Sequence, residues 1–140
     1  EAWDIAQSLL DLMAAQEADF TLVFRHLSNV PISGDRAPFL AQFSDPAPIE
    51  IWLKEWENYR QKNGITDQQA AALMRKVNPV FIPRNHRIEE IIQAGKKGDF
   101  EPFHRLHRVL QRPFESPPEF SEYESPPQAH EVVAATFCGT

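Results

Sequence analysis

Cysteine and glycine are scarce in this sequence, and each scarcity excludes a class of protein. Its single cysteine, Cys138, excludes an intrachain disulfide and a cysteine-rich zinc module. Low cysteine content is typical of a reducing setting, so we expect a cytoplasmic protein. The five glycines form neither GxGxxG nor GxxxxGK[ST], the glycine loops that bind phosphate groups. The sequence therefore offers no glycine-rich loop that would bind phosphate groups.

Long apolar runs and an excess of basic residues are also lacking. No run approaches the roughly 20 apolar residues that span a bilayer, and no signal peptide opens the chain, so we expect no membrane contact. The formal net charge of −6 argues against a nucleic-acid partner. Hydrophobic residues make up 42% of the 140 residues, enough for a folded domain.

The charges are unevenly distributed along the chain. Residues 1–74 carry 11 acidic and 5 basic side chains, residues 75–112 carry 4 acidic and 9 basic, and residues 113–140 carry 5 acidic and none that is basic. This pattern indicates either that the basic and acidic segments of the chain pair with each other or that a basic face docks an acidic partner. A third reading, in which all three segments are simply solvated, stays open at this point.

Apolar residues recur with helical spacing in six segments. They fall at positions i, i+3, i+4 and i+7, which lie on one face of an α-helix, and no segment alternates like a strand. The sequence predicts an all-α fold of six or seven packed helices. The segments are marked by Ile5, Leu9 and Leu12; Phe20, Val23, Phe24 and Leu27; Ile49, Trp52, Leu53 and Trp56; Ala70, Leu73, Met74 and Val77; Ile88, Ile91 and Ile92; and Phe103, Leu106 and Leu110.

Helix-end signals agree with this prediction. Thr66 followed by Gln69 is a capping box, and Asn63-Gly64 is a typical C-terminal stop. Asn78-Pro79 ends another helix, because the residue before proline avoids the helical region. Arg84 and Asn85 follow a proline at the start of the next helix, where we expect structural roles: Asn85 as a cap and Arg84 as a clasp for carbonyls or a carboxylate.

Prolines change the character of the chain at residue 113. Five of the twelve prolines lie between 113 and 127 and forbid a regular helix, yet Phe114, Phe120 and Tyr123 are interspersed among them. We therefore predict a helical domain over 1–112 and an extended proline-rich tail over 113–140, with these rings lying on a surface. A disordered tail is the alternative.

Candidate catalytic residues are hard to find in this sequence. His104 and His107 share a helical face, but a metal would need more ligands and the neighbouring arginines repel a cation, so we predict no metal site. We expect His107 at a helix interface. Cys138 lies third from the end, where a thiol is accessible and could be redox-active; an incidental thiol is the equal alternative.

Most of the chain, from about Asp19 onward, resembles one family. The segments are DFTLVFRHLS (19–28), LMRKVNPVFIPRNHRIEEII (73–92), GDFEPFHRLHRVLQRPF (98–114) and the ending TFCGT (136–140). These resemble the C-terminal part of the selenoprotein O family in a bacterial form. The Asn78-Pro79 to Arg84-Asn85 string and the near-terminal Cys138 are the most specific parts of the resemblance.

The resemblance implies a larger enzyme. Full-length members have a kinase-like fold but act as pseudokinases that transfer AMP from ATP to protein hydroxyls, using Mg²⁺ or Mn²⁺. Their catalytic and metal-binding residues lie upstream of the part matched here, so no catalytic, cofactor-binding or metal-binding residue carries over. The implied partners are the upstream catalytic core and its protein substrates, and the isolated segment is expected to be inactive. The first residue, Glu1, also looks like the start of a piece.

The resemblance also bears on Cys138, because many eukaryotic members have selenocysteine at the matching position. We expect Cys138 to be a redox switch that pairs with a thiol upstream. The alternative to this whole interpretation is a free-standing helical interaction module whose basic face docks an acidic protein. The reading frame upstream of Glu1 would discriminate the two.

Overall fold

A computed structural model describes residues 1–134, and within that range the chain is helical with no strand. The all-α prediction is confirmed. There are eight α-helices among these residues instead of six or seven, because two single-turn helices near prolines carry no recognisable periodicity. The chain divides into two compact units, Glu1–Asn78 and a second that begins at Pro79. The predicted change at Pro113 lies inside the second unit.

The first unit contains six helices. They are α1 (Ala2–Ala15), α2 (Phe20–Leu27), α3 (Val30–Ser33), α4 (Ala37–Leu40), α5 (Ala47–Lys62) and α6 (Asp67–Val77). The predicted signals set several of these ends. Thr66 and Gln69 form the capping box at the start of α6, and Gly64, with a φ of 67°, follows the end of α5.

The core of the first unit is built around α4 and α5. Phe39 is fully buried and packs edge-on against Phe43, with ring centroids 5.5 Å apart, and beside Trp52 at 6.3 Å. Trp52 also donates its indole N–H to the carbonyl of Ile5 over 2.8 Å. This bond joins α1 to α5 and satisfies the one polar atom of a buried ring.

The second unit has two α-helices and a long connection. Helix α7 (Asn85–Lys96) packs against α8 (Glu101–Leu110), and two short 3₁₀ helices follow at Pro118–Tyr123 and Ala129–Glu131. We call residues 113–134 the strap. Its buried partners are few: Val80, Phe81 and Val109 form a core on which Phe120 and Tyr123 pack. The strap therefore supplies part of the hydrophobic core of its own unit.

Candidate functional site

The strap is bound to the helices by a cluster of three arginines, which we call the arginine clasp. Arg84 donates to the carbonyl of Glu124 over 3.2 Å, Arg87 to that of Glu122 over 2.8 Å, and Arg105 to that of Glu119 over 3.3 Å. Charged donors make stronger hydrogen bonds than neutral ones, so these three contacts hold the strap to α7 and α8.

Tyr123 lies at the centre of the clasp. The guanidinium carbons of Arg87 and Arg105 lie 5.3 and 5.9 Å from its ring centroid, and Phe120 packs edge-on against it. Burial raises the pKa of the Tyr123 hydroxyl, although the positive charge of Arg105 acts in the opposite direction. The aromatic residues predicted to lie on a surface thus do so at Phe120 and Tyr123, whereas Phe114 is about half exposed.

Several arginines of the basic segment pair with carboxylates of the second unit. Arg105 pairs with Glu122 at 2.8 Å, Arg87 with Glu90 at 3.0 Å, and Arg108 with Glu101 at 3.0 Å. Of the alternatives that the charge distribution left open, internal complementarity is the one that these contacts favour. The sequence places all three arginines in the basic segment 75–112 but does not reveal their common role, because the acceptors of Arg87 and Arg84 lie 35 and 40 residues away.

Asn78 and Pro79 mark the boundary between the two units. The side-chain amide of Asn78 donates to the carbonyl of Met74 over 2.8 Å at the end of α6, and its backbone is extended, as a residue before proline requires. Arg84 is buried and donates to the carbonyl of Glu124. Asn85 does not cap α7: it is the first helical residue, and Arg84 occupies the N-cap position without a side-chain cap bond.

His86 is the buried titratable group of this region, with 5% of its surface exposed. It lines a cavity with Pro83, Pro127 and Glu131, and its Nδ1 has no hydrogen-bond partner among the described residues. Burial and the charges of Arg87 and Arg84 lower its pKa, against the opposing effect of Glu131 and Glu90. A backbone hydrogen bond from Gln128 lowers the pKa of Glu131.

Three predictions about the site remain: the position of His107, the absence of a metal site and the role of Cys138. His107 is exposed and stacks on Phe103 at 6.2 Å, so its expected place at a helix interface was wrong; the buried positions of α8 are Leu106 and Val109. Across residues 1–134, no group of three or more His, Cys, Asp or Glu side chains is placed to hold a metal. Cys138 lies outside the described residues.

An open apolar groove of about 490 Å³ lies in the first unit, between α1, α2, α5 and α6. Trp52 and Trp56 stack at its base with centroids 5.9 Å apart. The guanidinium of Arg60 lies 4.3 Å above the ring of Trp56 and pairs with Asp67 at 2.8 Å. Several lining residues belong to the predicted helical stripes, and two of these, Leu73 and Val77, are well exposed.

The family model and the individual relatives that match this chain agree with each other. The family model for protein adenylyltransferase SelO matches residues 1–111. The chain is 51% identical over 137 residues to the protein nucleotidyltransferase YdiU of Bradyrhizobium sp. BTAi1, and 49% identical over 138 residues to that of Agrobacterium fabrum C58. These alignments cover 97% and 98% of this chain but 28% of each relative. No described helix is long and apolar enough to cross a membrane.

The clasp makes Arg84 sensitive to a conservative change. Arg84→Lys keeps the charge but loses the planar fork of donors. We expect a loss of about 1–3 kcal/mol in the free energy of unfolding, the range for a buried bond to a charged group. Urea unfolding measures it. Arg112→Lys is the control, because the Arg112 side chain is 76% exposed; equal stability of Arg84→Lys and the natural protein would contradict the clasp.

The lowered pKa of His86 predicts a loss of stability on acidification. In the unfolded chain the imidazole takes up a proton near its ordinary pKa of 6.5, whereas the folded protein does so at lower pH. Its contribution is therefore fully present above pH 6.5 and is lost as the pH falls from there towards the folded pKa.

Unfolding free energies measured at about pH 7.5 and about pH 5.5 test this, since the lowered pKa of Glu131 acts only below that window. We expect His86→Gln to reduce the difference between the two pH values, while the exposed-residue control His104→Gln leaves it unchanged. An undiminished difference in His86→Gln would show that another group is responsible.

Proposed function

The chain belongs to the protein adenylyltransferase SelO family, and from this membership we propose that it is the helical C-terminal portion of an enzyme that transfers AMP from ATP to protein Ser, Thr and Tyr hydroxyls. The observation that carries the proposal is the match to nucleotidyltransferases over almost all of this chain. The chain spans 28% of the length of those relatives. We propose that the catalytic residues lie in the larger part without a counterpart here.

ATP and a divalent metal, Mg²⁺ or Mn²⁺, are assigned to that larger part of a kinase-like cytoplasmic protein. They would supply the activated phosphoryl group and its charge neutralisation. The residues at positions 1–134 do not fit such a site, since they offer neither a glycine-rich phosphate loop nor a cluster of metal ligands. No step of AMP transfer is therefore assigned to them. Their proposed role is to brace the catalytic portion and to position Cys138.

We propose the redox role of Cys138 from the resemblance, in which many eukaryotic members have selenocysteine at the matching position. Within the described residues, the arginine clasp bonds the strap at Glu119, Glu122 and Glu124. Cys138 itself lies outside the described residues.

The alternative of a free-standing module with a basic docking face receives less support. Three of the arginines that would form such a face bind the strap instead. Arg87 and Arg105 also pair with carboxylates of the same unit. An acidic partner would have to displace those intramolecular contacts, which lowers its affinity.

Labelled ATP tests the proposed activity in the full-length parent. We expect protein-bound radioactivity with a label on the α-phosphate and none with a label on the γ-phosphate, because AMP rather than phosphate is transferred. The isolated 140 residues should bind no Mg²⁺–ATP by calorimetry. Incorporation of the γ-label would contradict AMP transfer, and a specific ATP site in the isolated chain would contradict the upstream location.

A second experiment tests Cys138 in the same parent. Oxidation by a disulfide such as glutathione disulfide would join the Cys138 sulfur to an upstream thiol, with two protons and two electrons passing to the oxidant. We expect AMP transfer by the natural enzyme to change on oxidation and to recover with dithiothreitol. Cys138→Ser should not respond, whereas the neighbouring control Thr136→Ser should respond normally. An equal response in Cys138→Ser would place the switch elsewhere.

A further inference from the structure

The groove of the first unit exposes more apolar surface than its own fold requires. Phe20, Leu73 and Val77 are 62%, 65% and 61% exposed, and all three line it. They belong to the same helical faces as the buried residues Val23, Leu27 and Ala70. The apolar stripes of α2 and α6 are therefore wider than the core they cover, and the apolar residues left exposed lie together along the groove. A contiguous apolar patch of this kind marks an interaction surface.

We propose that the groove is the docking surface for an apolar helix of the catalytic portion of the parent protein. The proposal deepens the bracing role given above and rests on that proposed function, because it names the surface that would perform it. Helices recognise grooves of this type by laying an apolar face between two other helices. Here α2 and α6 would provide the walls and the stacked pair Trp52 and Trp56 the floor.

The length of the relatives favours this occupant. The greater part of each relative lies outside the aligned segment, so a large amount of polypeptide of the same protein is available to cover the groove. Interfaces that form permanently, as parts of one chain do, are more apolar than transient ones, and this groove is almost wholly apolar. A covering segment within the same protein would also lose little translational freedom on docking.

The groove is poorly suited to a small ligand. Sites for small molecules place several polar groups around an apolar pocket to orient the ligand. The polar residues here are Tyr59, Arg60 and Asn78, and two of them already have bonds: Arg60 to Asp67 and Asn78 to the carbonyl of Met74. With so few free polar groups, the lining favours a partner with a large apolar surface and offers little to orient a particular small molecule.

Thiol labelling of the full-length parent tests the docking surface. Leu73→Cys puts a thiol in the groove, and Ile51→Cys is the matched control, because Ile51 is 63% exposed on α5 and does not line the groove. Each variant is reacted with a maleimide. The labelling rate of the peptide that contains the introduced cysteine is measured by mass spectrometry, so other thiols do not interfere. We expect Leu73→Cys to react at least about tenfold more slowly than Ile51→Cys.

Two outcomes overturn the proposal. Equal rates for the two cysteines would show an uncovered groove. Protection of Leu73→Cys that disappears on dilution would show that a second copy of the protein covers it. Val77→Cys provides an independent second position if Leu73→Cys impairs folding. The labelling rates do not depend on catalysis, so a parent that transfers no AMP but protects Leu73→Cys would contradict the proposed function while leaving the docking surface intact.

Discussion

The attachment of the strap by charged side chains is the interaction on which the second unit depends. Two α-helices bury too little apolar surface to be stable by themselves, and the buried centre here consists of Val80, Phe81 and Val109. Phe120 and Tyr123 complete it only because the strap is held in place. The arginine clasp supplies that hold, and the paired carboxylates keep the arginines from repelling one another. Hydrophobic packing and charge are therefore interdependent in this unit.

The first unit follows a different principle. Phe39, Ile49 and Leu53 are fully buried in its core, while Arg36 with Glu57 and Gln16 with Asp45 make polar contacts at more exposed positions. On one side of this unit, the groove leaves apolar side chains exposed. An apolar surface left uncovered would favour aggregation in an isolated domain, whereas in one portion of a larger protein it is an ordinary internal surface.

Much of the fold was predictable from the sequence, because its signals are local. Helical periodicity and end signals such as Thr66 with Gln69 depend on neighbours in the chain. The single-turn helices at Val30–Ser33 and Ala37–Leu40 are too short to show a period. Two bonds of the clasp join residues far apart in the chain: Arg87 to Glu122 over 35 positions and Arg84 to Glu124 over 40. The cavity at His86 is likewise lined by the distant residues Pro127 and Glu131. No pattern of adjacent residues encodes such contacts. The sequence also could not show whether the apolar face of a helix is covered within its own unit or by another part of the protein.

The arginine clasp has a consequence for how the strap can change in evolution. Its three hydrogen bonds end on main-chain carbonyl oxygens, at Glu119, Glu122 and Glu124, and every residue type provides the same acceptor. Substitutions along the strap can therefore accumulate without releasing it, provided that the packed rings and the number of residues between the bonded carbonyls are kept. We expect selection to act mainly on Arg84, Arg87 and Arg105, and an insertion or deletion in the strap to be more damaging than a replacement.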